Sequence, residues 1–304
     1  MNTTLIIPAR NEAECIGDVL REARTHFAGP IIVVDNGSTD GTVDLAKEAG
    51  AVVVSEPVPG YGRAMVAGIR AASSDTDVFV FMDADGSDRP EDIAPLLVAI
   101  EAGADVALAV RRGPSVEQGS IAPAARFGNW LSGALVGLLW GHRSGDLSPL
   151  KAIRADALHS LGPQEKTYGW TVELIATAAA RHLRIAEVEA GYRKRRGGES
   201  KVSGQLGPSV KAGTRILGTI ARVWFRTMST ARLGAIVGAG VGILLTLGFA
   251  LWLNTAHAAS SGVNAAALLI AWPLMFVFAV AGAVVGATIG SRRGGSVPAR
   301  SQSV

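Results

Sequence analysis

The chain has a single cysteine, Cys15, among its 304 residues, and this scarcity excludes an intramolecular disulfide. The N-terminus has no basic segment followed by a long apolar run, so no cleaved secretory signal is expected. Positive charge is only in small excess, because 29 lysines and arginines oppose 26 acidic residues. A net charge of +3 is mild, and we expect no nucleic-acid partner.

Two long stretches near the C-terminus have no charged residue at all. They comprise residues 233–253 and 258–290. A helix of about 21 residues extends roughly 31 Å, which is enough for a hydrocarbon core of about 30 Å. The sequence therefore predicts a hairpin of two transmembrane helices, at about 233–253 and 266–290, with two buried helices of a soluble core as the alternative.

The connector between these stretches has no lysine or arginine, whereas Arg226 and Arg232 precede the pair and Arg292 and Arg293 follow it. Because positive charge is enriched on cytoplasmic flanks, we expect a multi-pass protein of the cell membrane with both termini in the cytoplasm. Residues 211–231 mix basic and apolar side chains, which predicts an amphipathic helix on an anionic membrane surface.

Short apolar segments alternate with helical patterns over the first 110 residues. The predicted strands are Leu5–Pro8, Ile31–Val34, Val52–Val54, Val78–Met82 and Val106–Val110, with a helix in every interval. Continuously apolar strands separated by helices indicate an α/β fold with a mostly parallel sheet covered on both faces. The later apolar segment 127–140 is too short to span a bilayer, so we expect an interfacial helix or a core helix there.

Two carboxylates, Asp83 and Asp85, directly follow the predicted strand Val78–Met82. At this spacing their oxygens can converge on Mg²⁺ or Mn²⁺ bound to a diphosphate, although a lone Asp-x-Asp is more often a turn. Polar residues also follow the first and second strands, in the segments 8–12 and 35–38. Ligands of such sheets bind at the carboxyl ends of strands, so three polar loops at one edge favour a binding site.

With these loops in order, the chain resembles family 2 glycosyltransferases of the dolichyl-phosphate mannose or glucose synthase type. The resemblance covers about residues 3–204 and rests on Ile-Pro-Ala-Arg-Asn-Glu, Val-Val-Asp-Asn-Gly-Ser-Thr-Asp-Gly-Thr, Gly-Tyr-Gly-Arg-Ala, Asp-Ala-Asp-Gly-Ser, Asp146-Leu-Ser-Pro-Leu-Lys-Ala-Ile-Arg and Gly-Glu-Ser-Lys. It implies a glycosyltransferase A type nucleotide-binding fold, a nucleotide sugar donor, a polyprenyl monophosphate acceptor and inversion at the anomeric carbon.

The resemblance also implies a set of donor and metal contacts. The donor would contact Pro8, Arg10, Glu12, Asp35, Asn36, Asp83, Ala84 and Asp85. Asp83 and Asp85 would hold Mg²⁺ or Mn²⁺, with Ser87 as a candidate third ligand where the family often has glutamine. Asn36 replaces a frequent aspartate, which leaves the choice of base between UDP and GDP sugars open.

The acceptor side follows from the same resemblance. The phosphate would be bound by Arg126, Arg195, Ser200 and Lys201, with Asn129 close to Arg126. Asp146 matches a family position close to the reaction centre, or else has a structural hydrogen-bonding role, and Glu173 either orients the donor or caps a helix. The implied catalytic residues are Asp85, Asp146, Arg126 and Arg195.

The predicted mechanism depends on charge. A phosphate oxygen is already anionic near neutral pH and can attack without a strong base, while the cation neutralises the leaving diphosphate. A hydroxyl acceptor is the alternative, and it would require a base such as Asp146. An inactive membrane-anchored binding module is a further alternative, and a homo-oligomer stays open.

The predicted organisation combines these parts. The domains are a catalytic glycosyltransferase domain at 1–210, an interfacial helix at 211–231, the transmembrane hairpin at 232–291 and a cytoplasmic tail at 292–304. A sugar-1-phosphate nucleotidyltransferase is disfavoured, because the loop after the first strand, residues 8–12, has no glycine.

Overall fold

The computed structural model describes residues 1–142, 144–197 and 206–258. The chain divides into two compact units between Trp224 and Phe225. The strands of the first unit are β1 Thr3–Ala9, β2 Ile31–Asp35, β3 Val52–Ser55, β4 Val78–Phe81, β5 Val106–Val116, β6 Lys151–Arg154 and β7 Ile185–Tyr192.

Helices connect most of these strands. They are α1 Ile16–His26, α2 Thr42–Glu48, α3 Tyr61–Ala71, α4 Ile93–Glu101, α5 Pro123–Trp140, α6 Ala155–Leu161, α7 Trp170–Ala180, α8 Leu206–Thr227 and α9 Thr230–Ala258. A short 3₁₀ turn at Pro90–Asp92 precedes α4. In the second unit, the described residues from Thr230 to Ala258 form α9.

The described strands form one sheet in the order β3-β2-β1-β4-β6-β5-β7. The first four strands of the chain are mutually parallel, and β7 is parallel to β5. By contrast, β6 runs antiparallel to both of its neighbours, β4 and β5. The predicted α/β fold with a mostly parallel sheet is therefore confirmed, and β6 and β7 are additions that the sequence did not indicate.

Each face of the sheet has its own hydrophobic core. Leu5 and Ile7 of β1 pack with α1 and α4, whereas Ile6 packs on the other face with α3, α6 and α7. This alternation follows from the two-residue period of a strand. Each fully buried leucine or isoleucine contributes about 2 kcal/mol, so both faces drive folding. The sheet positions the loops at the carboxyl ends of β1, β2 and β4 side by side.

The two helices with ambiguous sequence patterns each have one buried face. In α5, Ser132, Gly133 and Val136 are buried, while the side chains of Phe127 and Trp130 are 61% and 55% exposed. This helix thus contributes to the core and also exposes an aromatic pair. The predicted amphipathic helix corresponds to α8, which begins earlier than expected and buries Ile220 and Val223.

The structure does not support the predicted transmembrane hairpin. The first predicted span, 233–253, falls within α9, and the second, 266–290, lies outside the described residues together with the tail. Over the described part of the chain, no helix combines the length and the apolar character needed to cross a bilayer.

Candidate active site

The loops after β1 and β2 are fastened to each other. The backbone N of Asn11 donates to Ser38 Oγ at 3.0 Å, and Asn11 Oδ1 accepts from Thr39 N at 2.8 Å. Asn11 adopts a φ of 51°, a left-handed conformation that asparagine tolerates better than most residues. Pro8 lies at the end of β1 and Arg10 is exposed beside this junction, so their contacts with the donor stay predictions.

Asn36 fastens the end of β2 to the segment before α3. Its Nδ2 donates to the carbonyls of Glu56 at 2.8 Å and Val58 at 2.9 Å, and its Oδ1 accepts from Gly60 N at 2.7 Å. Both the nitrogen and the oxygen of the Asn36 side-chain amide are thus hydrogen-bonded to backbone groups. Asp35 beside it is only 8% exposed and accepts from Ser38 N at 3.0 Å. Asn36 therefore shapes this wall of the site through the backbone of residues 56–60.

The loop after β4 gathers three carboxylates. The backbone N of Asp83 donates to Asp88 Oδ2 at 3.0 Å, and Ser87 N donates to Asp85 Oδ1 at 2.9 Å. Gly86 makes the turn possible with a φ of 75°. Ala84 is buried, and its carbonyl accepts a weak hydrogen bond from the Cys15 thiol at 3.4 Å.

Two carboxylates of this loop lie near the buried ammonium of Lys151. Burial, reinforced by Asp88 and Asp85, raises the pKa of Asp83 well above its usual value. Burial likewise raises the pKa of Asp88 to about 7. Lys151 is fully buried, which lowers the pKa of its ammonium to about 8 although Asp83 and Asp88 oppose that shift. The ammonium donates to Pro149 O at 2.7 Å and to Thr171 Oγ1 at 3.3 Å.

This donor set fits a hard divalent cation. Carboxylate oxygens are its preferred ligands, and a double positive charge would offset both the burial and the neighbouring carboxylates that raise the pKa values of Asp83 and Asp88. Within residues 1–142, 144–197 and 206–258, no group of three or more His, Cys, Asp or Glu side chains is arranged to hold a metal ion by itself. Asp83 and Asp85 would therefore hold the ion together with ligand or water oxygens, and Ser87 as a ligand stays a prediction.

Asp146 is bound by several donors at once. Its two oxygens accept from Arg111 Nε at 2.5 Å and Arg111 Nη2 at 2.8 Å, a bidentate ion pair with both side chains less than a tenth exposed. Asn129 Nδ2 donates at 2.6 Å and Leu147 N at 2.8 Å. The ring of Tyr192 lies 4.6 Å from the Arg111 guanidinium. Asp146 thus acts on Arg111, which it holds in a fixed orientation.

The basic run Arg193–Arg196 crosses the loop after β4. Arg193 N donates to Ser87 O at 2.8 Å and Arg196 N to Asp85 O at 3.0 Å. The Arg195 guanidinium lies 3.2 Å from Glu12 and 3.5 Å from Asp85. The structure therefore brings Arg195, Glu12 and Asp85 together, as the sequence suggested for one site.

The other predicted acceptor residues are placed differently. Arg126 is exposed on α5, one turn before Asn129, and Ser200 and Lys201 lie outside the described residues. Glu173 is buried and accepts from the backbone N of Gln164 at 2.8 Å and of Glu165 at 2.6 Å, so it caps a loop.

Sequence reasoning missed Arg111, Lys151 and Asp88 as members of the site. A signal for Arg111 was present, because it follows the apolar run Val106–Val110 as Asp83 follows Val78–Met82. For Lys151 the signal was a lone charge beside the apolar residues Leu150, Ala152 and Ile153.

Comparison with known proteins decides the family. The family profile described as Glycosyl transferase family 2 matches residues 4–161, more than half of the chain. The chain is a family 2 glycosyltransferase. The predicted family and the prediction of an enzyme are thereby confirmed.

Relatives of this glycosyltransferase include several bacterial proteins. It is 36% identical over 218 residues to an uncharacterized glycosyltransferase of Mycobacterium tuberculosis H37Rv, covering 69% of this chain and 93% of that protein. It is 32% identical to the undecaprenyl-phosphate mannosyltransferase of Micrococcus luteus, covering 68% and 89%. It is also 32% identical to the polyprenol monophosphomannose synthase of Mycolicibacterium smegmatis, covering 66% and 81%.

Solved structures show a related fold. The glycosyltransferase matches the M. tuberculosis glucosyl-3-phosphoglycerate synthase in complex with phosphoglyceric acid with a TM-score of 0.59 and 26% identity, covering 73% of this chain and 79% of that one. The same synthase in complex with Mn²⁺, UDP and phosphoglyceric acid also gives a TM-score of 0.59, at 25% identity, covering 73% and 78%. The nucleotide-binding domain is thus of the glycosyltransferase A type.

Proposed function

We propose that this glycosyltransferase transfers a hexose, with inversion, from a nucleotide sugar to a polyprenyl monophosphate. The observation that carries the proposal is the state of Asp146. Both of its oxygens are engaged, by Arg111 and Asn129, in a buried bidentate arrangement. A hydroxyl acceptor would need a free base at this place, whereas an ionised phosphate would not. The relatives that act on polyprenyl phosphates support the same acceptor class.

The residues of the site have separate tasks in this proposal. A divalent cation bound by Asp83 and Asp85 would neutralise the leaving diphosphate. Arg111, oriented by Asp146 and by the ring of Tyr192, would meet the negative charge of the acceptor phosphate. Arg195 bridges Glu12 and Asp85 and so lies between the loop after β1 and the loop after β4. Arg126 is exposed and available to guide the acceptor.

The proposal extends to the place of the reaction. A polyprenyl tail stays in a bilayer, so the enzyme would work at a membrane surface. UDP-hexoses and GDP-hexoses are both candidate donors.

A donor and acceptor screen tests the proposal. Purified enzyme is incubated with Mg²⁺ or Mn²⁺, polyprenyl phosphate and labelled UDP- or GDP-hexoses, and the lipid phase is extracted. We expect a labelled lipid-phosphate hexose that requires the divalent ion. Transfer to a hydroxyl acceptor, with none to the lipid phosphate from any donor, would overturn the acceptor assignment.

A further inference from the structure

The loop between α6 and α7, residues 162–169, links α8 to the start of α3. At its centre lies Glu165, whose side chain is only 5% exposed. Its Oε2 accepts from Arg222 Nη1 at 2.9 Å and lies 3.4 Å from Thr219 Oγ1, and both of these residues belong to α8. Its Oε1 accepts from Thr167 Oγ1 at 2.7 Å within the loop. This carboxylate therefore fastens α8 to the loop.

Backbone atoms of the same loop lie close to the start of α3. A Cβ on Gly62 would lie 2.0 Å from Glu165 O, and a Cβ on Gly60 would lie 2.4 Å from Lys166 O. Arg63 N also donates to Lys166 O at 3.2 Å. No side chain fits at either glycine unless the loop moves. The loop and the first turn of α3 consequently behave as one packed piece.

The turn of α3 continues to the wall of the nucleotide site. Gly60 N donates to Asn36 Oδ1 at 2.7 Å, and Asn36 N donates to Ala9 O at 2.8 Å at the end of β1. A series of contacts thus runs from Arg222 to Glu165, passes along the chain to Lys166, and continues through Gly60 and Asn36 to the loops after β1 and β2. Apart from the peptide bond between Glu165 and Lys166, each step is a hydrogen bond or a backbone contact too close for a side chain.

We propose that Glu165 is a positioning residue for the nucleotide donor, because it holds the first turn of α3, and through it Asn36, in register with α8. The inference rests on the proposed function only in assigning the nucleotide to the loops after β1 and β2. It adds that donor affinity depends on a helix that does not itself contact the donor. A displacement of α8 would reach the donor through this series of contacts.

The first test removes the clamp. Glu165→Gln, Arg222→Met and their combination are compared with Arg184→Met, which removes a partly exposed arginine–aspartate pair, Arg184 with Asp105, elsewhere. Binding of UDP and GDP with Mn²⁺ is measured by calorimetry, and donor KM and kcat are measured separately. We expect Kd and KM to rise about three- to tenfold, the scale of a half-exposed ion pair, with kcat unchanged.

The combined variant distinguishes coupling from general weakening. Both substitutions break the Glu165–Arg222 pair, and Glu165→Gln also removes the charge that lies 4.0 Å from Arg215, so the combination should be no worse than Glu165→Gln alone. Arg222→Lys should recover part of the affinity, and Arg184→Met should leave nucleotide binding unaltered. Single and combined variants that bind as tightly as wild type, or effects that simply add, would overturn the coupling.

The second test acts at the glycine. Gly62→Ala inserts a methyl group against Glu165 O, while Gly213→Ala on α8 meets no atom within 4 Å and serves as the matched control. We expect at least a tenfold loss of nucleotide affinity for Gly62→Ala and none for the control. Should Gly62→Ala fail to fold, Glu165→Gln decides the question. Wild-type protein that binds neither nucleotide overturns the proposed function and the coupling together, whereas normal binding by both alanine variants overturns the coupling alone.

Discussion

Replacement of Asp146 by asparagine separates a positioning role from a role as catalytic base. The carboxylate accepts two side-chain hydrogen bonds from Arg111, a third from Arg111 N at 3.1 Å, and others from Asn129 and Leu147. Asp146→Asn keeps the shape and removes the charge. The Arg111 guanidinium is then left buried without its counter-charge.

The burial of the pair sets the expected magnitude. The side chains of Arg111 and Asp146 are 8% and 7% exposed, so the value for a buried pair applies rather than that for a surface pair. Loss of one partner from a buried ion pair costs about 3–5 kcal/mol, against about 0–1 kcal/mol at the surface. We therefore expect Asp146→Asn to lower the free energy of unfolding by about 3–5 kcal/mol.

A second substitution checks the reasoning. Arg111→Met combined with Asp146→Asn removes both charges and leaves an amide oxygen for Asn129 and Leu147, so about 2 kcal/mol of the loss should return. Urea denaturation followed by tryptophan fluorescence measures each variant. A single variant within about 1 kcal/mol of wild type, or a double variant less stable than the single one, would refute the proposed pair. A free base at Asp146 would instead give lost activity with near-normal stability.

Three further predictions concern the same site. Asp85→Ala should lower the rate of sugar transfer about a thousandfold or more and abolish Mn²⁺ binding in calorimetry. The free energy of unfolding should change little, since the side chain is partly exposed. Metal-dependent transfer by this variant would contradict the assignment. Burial raises the pKa of Asp88 to about 7, so the folded protein keeps this carboxyl protonated to a higher pH than the unfolded chain does. The free energy of unfolding of the metal-free protein, relative to that of Asp88→Asn, should therefore fall as the pH rises from about 4 to 7. Melting curves of both proteins across that range would show it, and parallel curves would exclude it. Asn36→Ala should cost about 1–3 kcal/mol in urea denaturation, because it leaves backbone groups of residues 56–60 unpaired, and should weaken nucleotide binding in calorimetry.

The sequence revealed those parts of the fold whose signals are local. Strands β1 to β5 are continuous apolar runs with helical patterns between them, so the strands themselves and their mostly parallel arrangement could be predicted. Strand β6 could not, because it has four residues and begins with the fully buried Lys151. Strand β7 carries the exposed Glu187 and Glu189 among partly buried positions, which weakens its apolar pattern.

The same distinction holds for the site. Asp83 and Asp85 could be found because their spacing and their place after a strand are local features. Arg111 gains its role from Asp146, 35 residues away, and Lys151 from Thr171, 20 residues away. Partners at such separations depend on the antiparallel entry of β6 into the sheet, which no local pattern specified. Asn36 illustrates the reverse case, since its loop was foreseen but its backbone contacts were not.

The basic run Arg193–Arg196 and the sequence pI of about 9.2 suggest a protein that binds polyanions non-specifically. In the folded chain Arg193 and Arg196 pair with Glu22, Lys194 pairs with Glu117, and Arg195 lies between Glu12 and Asp85. A polyanion gains affinity by replacing counterions at unpaired cations, and these four already have internal acidic neighbours. Heparin or contaminating RNA should therefore bind the native enzyme more weakly at this run than the unfolded chain, a practical difference during purification.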